Sequence, residues 1–222
     1  MIVVHHLNQS RSQRVLWLLE ELGVPYEVRR YERDPQTMLA PASLREVHPL
    51  GKSPVITDGE LTLAESGAIV EYLVQRYGDG RLRPRPGTPE AVRYLYWMHY
   101  AEGSLMPPLL LKLLFTRIGQ ARMPFFARPI AKAIAARTLQ TFVNPQLERH
   151  LAFLEEELGR STWFAGEELT AADIQMSFPL EAAQARADLS RRPRLREFLE
   201  RIRARPAWQA AAGKVGDFGV LD

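Results

Sequence analysis

Val47-His48-Pro49-Leu50-Gly51-Lys52-Ser53-Pro54-Val55-Ile56 passes from a loop carrying one lysine into an apolar run at a Ser-Pro bond. Working forward, Val55-Ile56-Thr57 and Leu61-Thr62-Leu63 flank Asp58-Gly59, a pair suited to the positive φ of a tight hairpin turn. After Ala64-Glu65 a helix is expected from about Ser66 to Tyr77, closed by Gly78. Working backward, Ile2 to Leu7 reads as a buried strand, and Val15, Leu18, Leu19 and Leu22 repeat with the helical period. Gly23 and Pro25 stop that helix, and Tyr26 to Tyr31 alternates like a second strand. Strand, helix and strand in so short a span imply a parallel pair with a right-handed crossover. The order βαβ, hairpin, helix predicts a thioredoxin-like layer of helices on a four-stranded mixed sheet over residues 1–77.

From Gly78 to Pro89, Gly and Pro deny both helix and strand, so residues 78–89 read as an interdomain linker. Beyond it, residues 90–222 show helical periodicity without a convincing strand, which predicts an all-helical second domain. Of the residues 46% are hydrophobic and 25% charged, the balance of a soluble globular chain. Lys112 interrupts the most apolar run, Leu109 to Phe115, so no membrane span is expected and no membrane partner. The start Met1-Ile2-Val3-Val4-His5-His6 lacks the pattern of a signal peptide, which makes the cytoplasm the expected location. The chain has no cysteine. Disulfide scaffolds, Cys-rich zinc sites and protein thiolates are thereby excluded, and any thiol chemistry must import its thiol. A net charge of +3 gives little support for a nucleic-acid partner, and none is expected.

The chemistry gathers at the loop and helix around the opening stretch. A proline entering a strand removes one donor from an edge, leaving the neighbouring backbone free to pair with an extended peptide. A helix start offers free N–H groups to a carboxylate, Glu65 can accept from an ammonium, and Lys52 can meet a second carboxylate. These are complementary ends for a short zwitterionic peptide.

Together with Ser10-Arg11-Ser12-Gln13-Arg14-Val15-Leu16-Trp17-Leu18-Leu19-Glu20-Glu21-Leu22-Gly23-Val24-Pro25-Tyr26-Glu27 and Leu169-Thr170-Ala171-Ala172-Asp173-Ile174, this pattern resembles the cytosolic glutathione S-transferase family. It is closest to a bacterial and fungal branch with serines in the first loop. The resemblance implies glutathione as co-substrate, a cis Pro54, and Ser53 presenting its backbone to the cysteinyl part. It also implies Lys52 near the glycyl carboxylate, Glu65 and Ser66 at the γ-glutamyl end, and a homodimer. Catalysis would consist of stabilising the thiolate, whose free pKa is about 8.5, by a hydroxyl and the positive end of the first helix. Ser10 is the first candidate and Ser12 the second, with Asn8 and Arg11 as further donors; an ordinary helix N-cap is the competing role for Ser12.

A hydrophobic electrophile would lie against the first long helix after the linker. Tyr94, Trp97, Met98, Tyr100, Glu102, Gly103, Ser104 and Met106 are candidate lining, and Trp97, Tyr100, Ser104 and Met106 are chosen. Tyr94, Trp97 and Met98 have the spacing of a core stripe. Leu109 to Phe142 is apolar with basic punctuation, a lid or a helical insertion. Thr170 and Asp173 form a capping box with Leu169 and Ile174 as its staple. His5 and His6 point to opposite faces of a strand, so no metal site is expected. Basic Arg191 to Arg196, interleaved with acids further on, reads as a solvated face, and His48 as a solvent-facing loop residue. The function expected is transfer of glutathione to hydrophobic electrophiles, with organic hydroperoxide or disulfide reduction open to the same thiolate. A glutathione-transferase-like carrier or interaction module without catalysis is the alternative.

Overall fold

The computed structural model describes residues 1–216, Phe218 and Val220. Four strands, β1 (Ile2–Leu7), β2 (Tyr26–Tyr31), β3 (Val55–Asp58) and β4 (Leu61–Ala64), form one sheet in the order β2-β1-β3-β4. β1 pairs in parallel with β2, in register from Ile2 opposite Tyr26, while β3 runs antiparallel to both β1 and β4. The expected mixed sheet is therefore present, and it is flanked by α1 (Ser12–Leu22), α2 (Ala42–Val47) and α3 (Ser66–Tyr77). α1 is buried from Ser12 to Leu19, because it is packed on both sides, against the sheet and α3 and against helices of the second half.

Two local expectations change. The two-residue turn of the β3-β4 hairpin is Gly59-Glu60, with Gly59 at φ 60°, and Asp58 instead pairs with Leu61 as the last residue of its strand. Gly78 closes α3 as expected, in a right-handed conformation at φ −75°. Glycine is needed there because a Cβ would come within 2.3 Å of the Val74 carbonyl oxygen. β3 is a central strand, so Ser53-Pro54 is not an edge; it lies just beyond the last rung of the ladder, His5 opposite Val55 and Val55 opposite Ala64.

After the bend at Gly78 the described chain is helical: α4 (Pro89–Tyr100), α5 (Met106–Gln120), α6 (Arg128–Thr138), α7 (Asn144–Glu157), α8 (Ala171–Arg186), α9 (Pro193–Arg203) and α10 (Pro206–Val215). Short π-helical stretches, Ala101–Leu105 and Leu139–Val143, join α4 to α5 and α6 to α7, so each pair is one long interrupted helix. α8 is buried from Ala171 to Ala183 and is the axis of this half. Its first turn is the expected capping box: Asp173 Oδ2 accepts from the Thr170 N–H and hydroxyl at 2.9 Å, and Oδ1 accepts from the Phe164 N–H at 2.8 Å. One continuous hydrophobic core runs from the sheet through α1 into α8. The basic residues of α9 and its flanks are engaged within the fold, Arg192 with Glu148, Arg203 with Glu181 and Arg205 with Glu21. Among the described residues no helix is long and apolar enough to cross a membrane.

Candidate functional site

A pocket of about 230 Å³ lies where α1 and α3 begin and the loop before β3 arrives. Arg11, His48, Leu50, Lys52, Ser53, Pro54, Glu65, Ser66 and Glu102 are on its wall. The Ser53-Pro54 bond is cis. Lys52, Glu65 and Ser66 have no side-chain partner among the described residues, so a cation, an anion and a hydroxyl surround one cavity unpaired. Glu65 holds φ 71° and ψ 115°, a conformation uncommon for a residue with a side chain.

The helix starts explain why the pocket suits an anion. A helix leaves its first N–H groups without internal partners. In α4 Thr88 caps them, in α8 the capping box does, α9 and α10 begin with proline, and α5, α6 and α7 have proline as their second residue, which removes a donor. Among the described helices of eight or more residues, only α1 and α3 have neither device. The α3 start, Glu65 and Ser66, lines the small pocket, and α1 meets it through Arg11 at its cap position, while the first N–H of α1, that of Ser12, reaches Ser10 Oγ at 3.4 Å.

Behind its wall runs a chain of buried hydroxyls. Ser53 Oγ donates to the His5 carbonyl at 2.9 Å and accepts from the Leu7 N–H and from Ser10 Oγ. A hydroxyl has one proton. With the Ser10 proton given to Ser53, Ser12 donates to Ser10 at 2.7 Å, and His6 Nδ1 donates to Ser12 at 2.8 Å. Burial, with Arg30 assisting, pushes the His6 imidazole down to about 4, so it is neutral at physiological pH and its one proton sits on Nδ1 in this chain. Ser12 is thus not an N-cap: it is the first residue of α1, fully buried, and Arg11 occupies the cap position. His5 turns the other way, to the Tyr31 hydroxyl at 2.9 Å.

The two halves of the chain meet at Glu102. Its carboxylate takes Arg11 Nε at 2.9 Å and also a hydrogen bond from Arg14, whose side chain is wholly buried. Burial pulls the Arg14 guanidinium down to about 10 against the opposing pull of Glu102. Burial likewise raises the Glu102 carboxyl, but Arg14 and Arg11 outweigh it and hold it below the ordinary range. Both guanidinium groups lie 5.2 Å from the centre of the Phe178 ring. Asn8, on the outer side, accepts from the Arg33 N–H through its side chain and from Arg33 Nε through its carbonyl.

The structure brings Arg11, Lys52, Ser53, Pro54, Glu65 and Ser66 to one pocket, sets Ser10 and Ser12 behind it, and leaves Asn8 outside. His48 is on the wall, contrary to a simple solvent-facing role; its position four residues before Lys52 in the same loop was the available signal. Glu102 and His6 had no local signal, because their partners are distant or across a strand end. The residues chosen for the electrophile go elsewhere. Trp97 is stacked on Phe153 in the core, Met106 is buried, and the Tyr100 hydroxyl is engaged with His150 Nδ1. Ser104 is partly exposed in the π-helical stretch. The other stripe of α4, with Tyr94, Leu95, Met98 and His99, lines a cavity of about 730 Å³ against α3, which reaches Glu65 and Glu102.

A thioredoxin-like sheet domain followed by a helical domain, with an open polar pocket at the cis-proline loop, defines a class of two-domain folds. The family model described as "Glutathione S-transferase, N-terminal domain" matches residues 1–75, and "Glutathione S-transferase, C-terminal domain" matches residues 118–206. Glutathione S-transferase 3 of Schizosaccharomyces pombe is 38% identical over 98% of this chain and 89% of its own length. Glutathione S-transferase 1 of Saccharomyces cerevisiae is 32% identical over 99% of this chain and 97% of its own. A crystal structure of a glutathione S-transferase from Actinobacillus pleuropneumoniae superposes with a TM-score of 0.81 at 34% identity, covering 100% of this chain and 95% of that one. The chain belongs to the glutathione S-transferase family.

Proposed function

We propose that the protein binds glutathione in the small pocket, stabilises its thiolate at the start of α1, and transfers it to apolar electrophiles. The observation that carries this reading is the meeting of the uncapped α3 start and Arg11 at the head of α1 with an unpaired lysine, glutamate and serine around one cavity. Glutathione is a zwitterion with two carboxylates and one ammonium. Lys52 takes the glycyl carboxylate, the Ser53 backbone pairs with the cysteinyl part, and Glu65 with Ser66 at the α3 start holds the γ-glutamyl group.

The thiolate lies over the N-terminus of α1. Its donors are the helix N–H groups, the Arg11 guanidinium and the Ser10 hydroxyl, which turns from Ser53 to the sulfur while Ser12 and neutral His6 continue to donate from behind. Asn8 orders the outer part of this loop. The electrophile rests against the π-helical stretch at Ser104, with Trp97, Tyr100 and Met106 as the packed support beneath it. The same thiolate serves an organic hydroperoxide, attacking oxygen in place of carbon. Residues 1–77 act as the glutathione domain, 78–89 as the linker and 90–222 as the substrate domain. The working form is a cytoplasmic homodimer serving detoxification; exposed Val92, Leu95 and Tyr96 on α4 supply an apolar face for the second copy.

The test is an ultraviolet difference titration of bound glutathione in the native protein, Ser10→Ala and Arg11→Gln. The thiol is expected to ionise at least about one pH unit below its free value, roughly 8.5, in the native protein, and Ser10→Ala to lose most of that shift. If only Arg11→Gln loses it, the guanidinium is the activating group. If glutathione binds and titrates as in water, the proposal of catalysis fails and a carrier remains.

A further inference from the structure

The hairpin of α5 and α6 is the least covered part of the molecule. α6 packs on α5 and on the π-helical stretch that follows it, and Ala135 is its one buried residue. Gly119 of α5 lies against Ala135, where the two helices touch. Away from that seam, Phe125 is 89% and Phe126 66% exposed at the tip, and Ile130 and Ile134 follow one turn apart on the outer side of α6 at 62% and 56%. A pair of adjacent, freely exposed phenylalanines has no role in folding.

The charge of the same segment is one-sided. Between Glu102 and Glu148 the sequence has six basic residues and no acidic one, although the chain as a whole is only +3, so the remainder carries −3. Four of the six, Arg122, Arg128, Lys132 and Arg137, belong to the tip and α6. On α6 Arg128 and Lys132 stand on the flank opposite Ile130 and Ile134, about 160° away for most pairs. The phenylalanine tip, with Arg122 and Arg128 on either side of it in the chain, joins the two elements needed for stable residence at a membrane interface, apolar side chains and cations.

We infer that the tip and α6 dock the protein on an anionic phospholipid surface. Phe125 and Phe126 enter the boundary between headgroups and acyl chains, Ile130 and Ile134 follow, and the four cations meet lipid phosphates. The contact is peripheral, since no described helix is long enough to cross. It replaces the expectation of no membrane partner. A second copy of the hairpin would bring the same cations face to face and be repelled. An acidic protein would satisfy the cations but leave the phenylalanine pair in water.

Co-sedimentation of the full chain with vesicles tests this, comparing phosphatidylcholine alone with an equal mixture of phosphatidylcholine and phosphatidylglycerol. The protein is expected to sediment with the mixed vesicles at low salt, to be released at high salt, and to ignore phosphatidylcholine alone. Phe125→Ser with Phe126→Ser should weaken partitioning by more than about tenfold, and Arg128→Glu with Lys132→Glu by a similar factor. Both double variants should keep the native melting temperature and glutathione binding. Failure to sediment at low salt overturns the inference, as does undiminished binding by the phenylalanine variant. Retention on immobilised polyglutamate without vesicle binding assigns the surface to an acidic protein and overturns it too. A native oligomer that the phenylalanine variant dissociates assigns the surface to a second copy and overturns the inference equally.

Discussion

The N-terminus of α8 and the N-termini of α1 and α3 solve one problem in opposite ways. At α8, Asp173 and Thr170 satisfy the first-turn donors from within, and both are buried. At α3 no cap and no proline takes the donors, and at α1 the cap position is Arg11, with only a long 3.4 Å bond from the Ser12 N–H to Ser10 Oγ. A helix start finished by its own sequence is structural. One kept unfinished beside a cavity is available to a ligand, and here the α3 start lines the cavity that α1 meets through Arg11.

Removing the closed cap should have the largest effect. Asp173→Ala strands the Phe164 and Thr170 N–H groups and should cost about 3 kcal/mol, with glutathione affinity of the folded protein unchanged; denaturant unfolding beside a binding isotherm checks both. The same residue gives a pH signature. Burial pushes its carboxyl up to about 6 against its hydrogen-bond donors, so the protonated form adds stability that is fully present below the ordinary value of 3.8 and lost as pH rises through about 6. Melting temperatures of Asp173→Asn should lack that decline across the same window.

Opening the contact beneath α1 comes next. Glu102→Gln leaves the buried Arg14 guanidinium without its counter-ion and frees Arg11. A loss of about 2 kcal/mol is expected, below the figure for a fully buried pair because Glu102 is one-third exposed. Unlike the Asp173 change, it should also alter the pKa of bound glutathione, which the ultraviolet titration reads. The smallest effect in stability is at the open start itself. Ser66→Ala should leave unfolding unchanged and weaken glutathione binding by roughly tenfold, seen by calorimetry. An unfolding midpoint that moved as much as for Asp173→Ala would erase the distinction between the two kinds of helix start.

The sequence disclosed what depends on neighbours in the chain. Alternation in Tyr26 to Tyr31, the helical period of Val15 to Leu22 and the Thr170-Asp173 spacing are local, and each element stands where its pattern placed it. The Lys52 to Pro54 and Glu65-Ser66 segments were legible because the pocket is lined by consecutive residues of two short stretches. Contacts made across the fold were not. Glu102 meets Arg11 and Arg14 only after the helical half docks, and His6 meets Ser12 only after the first loop turns back on its strand. The core stripe of α4 read at Tyr94, Trp97 and Met98 is buried, together with Tyr100. Periodicity does not tell which of these side chains also border a cavity, and Trp97 and Tyr100 turn to Phe153 while Tyr94 and Met98 border the larger cavity. α2 is only six residues long, too short for a period to show.

Residue 65 carries one more consequence. A side chain held at φ 71° strains the backbone by about 1 kcal/mol or more, whereas glycine adopts that angle freely. Under selection for heat resistance alone, Glu65→Gly would spread; under selection for the tripeptide it would be purged. The identity of this single position along any lineage is therefore a record of whether its members still needed their thiol.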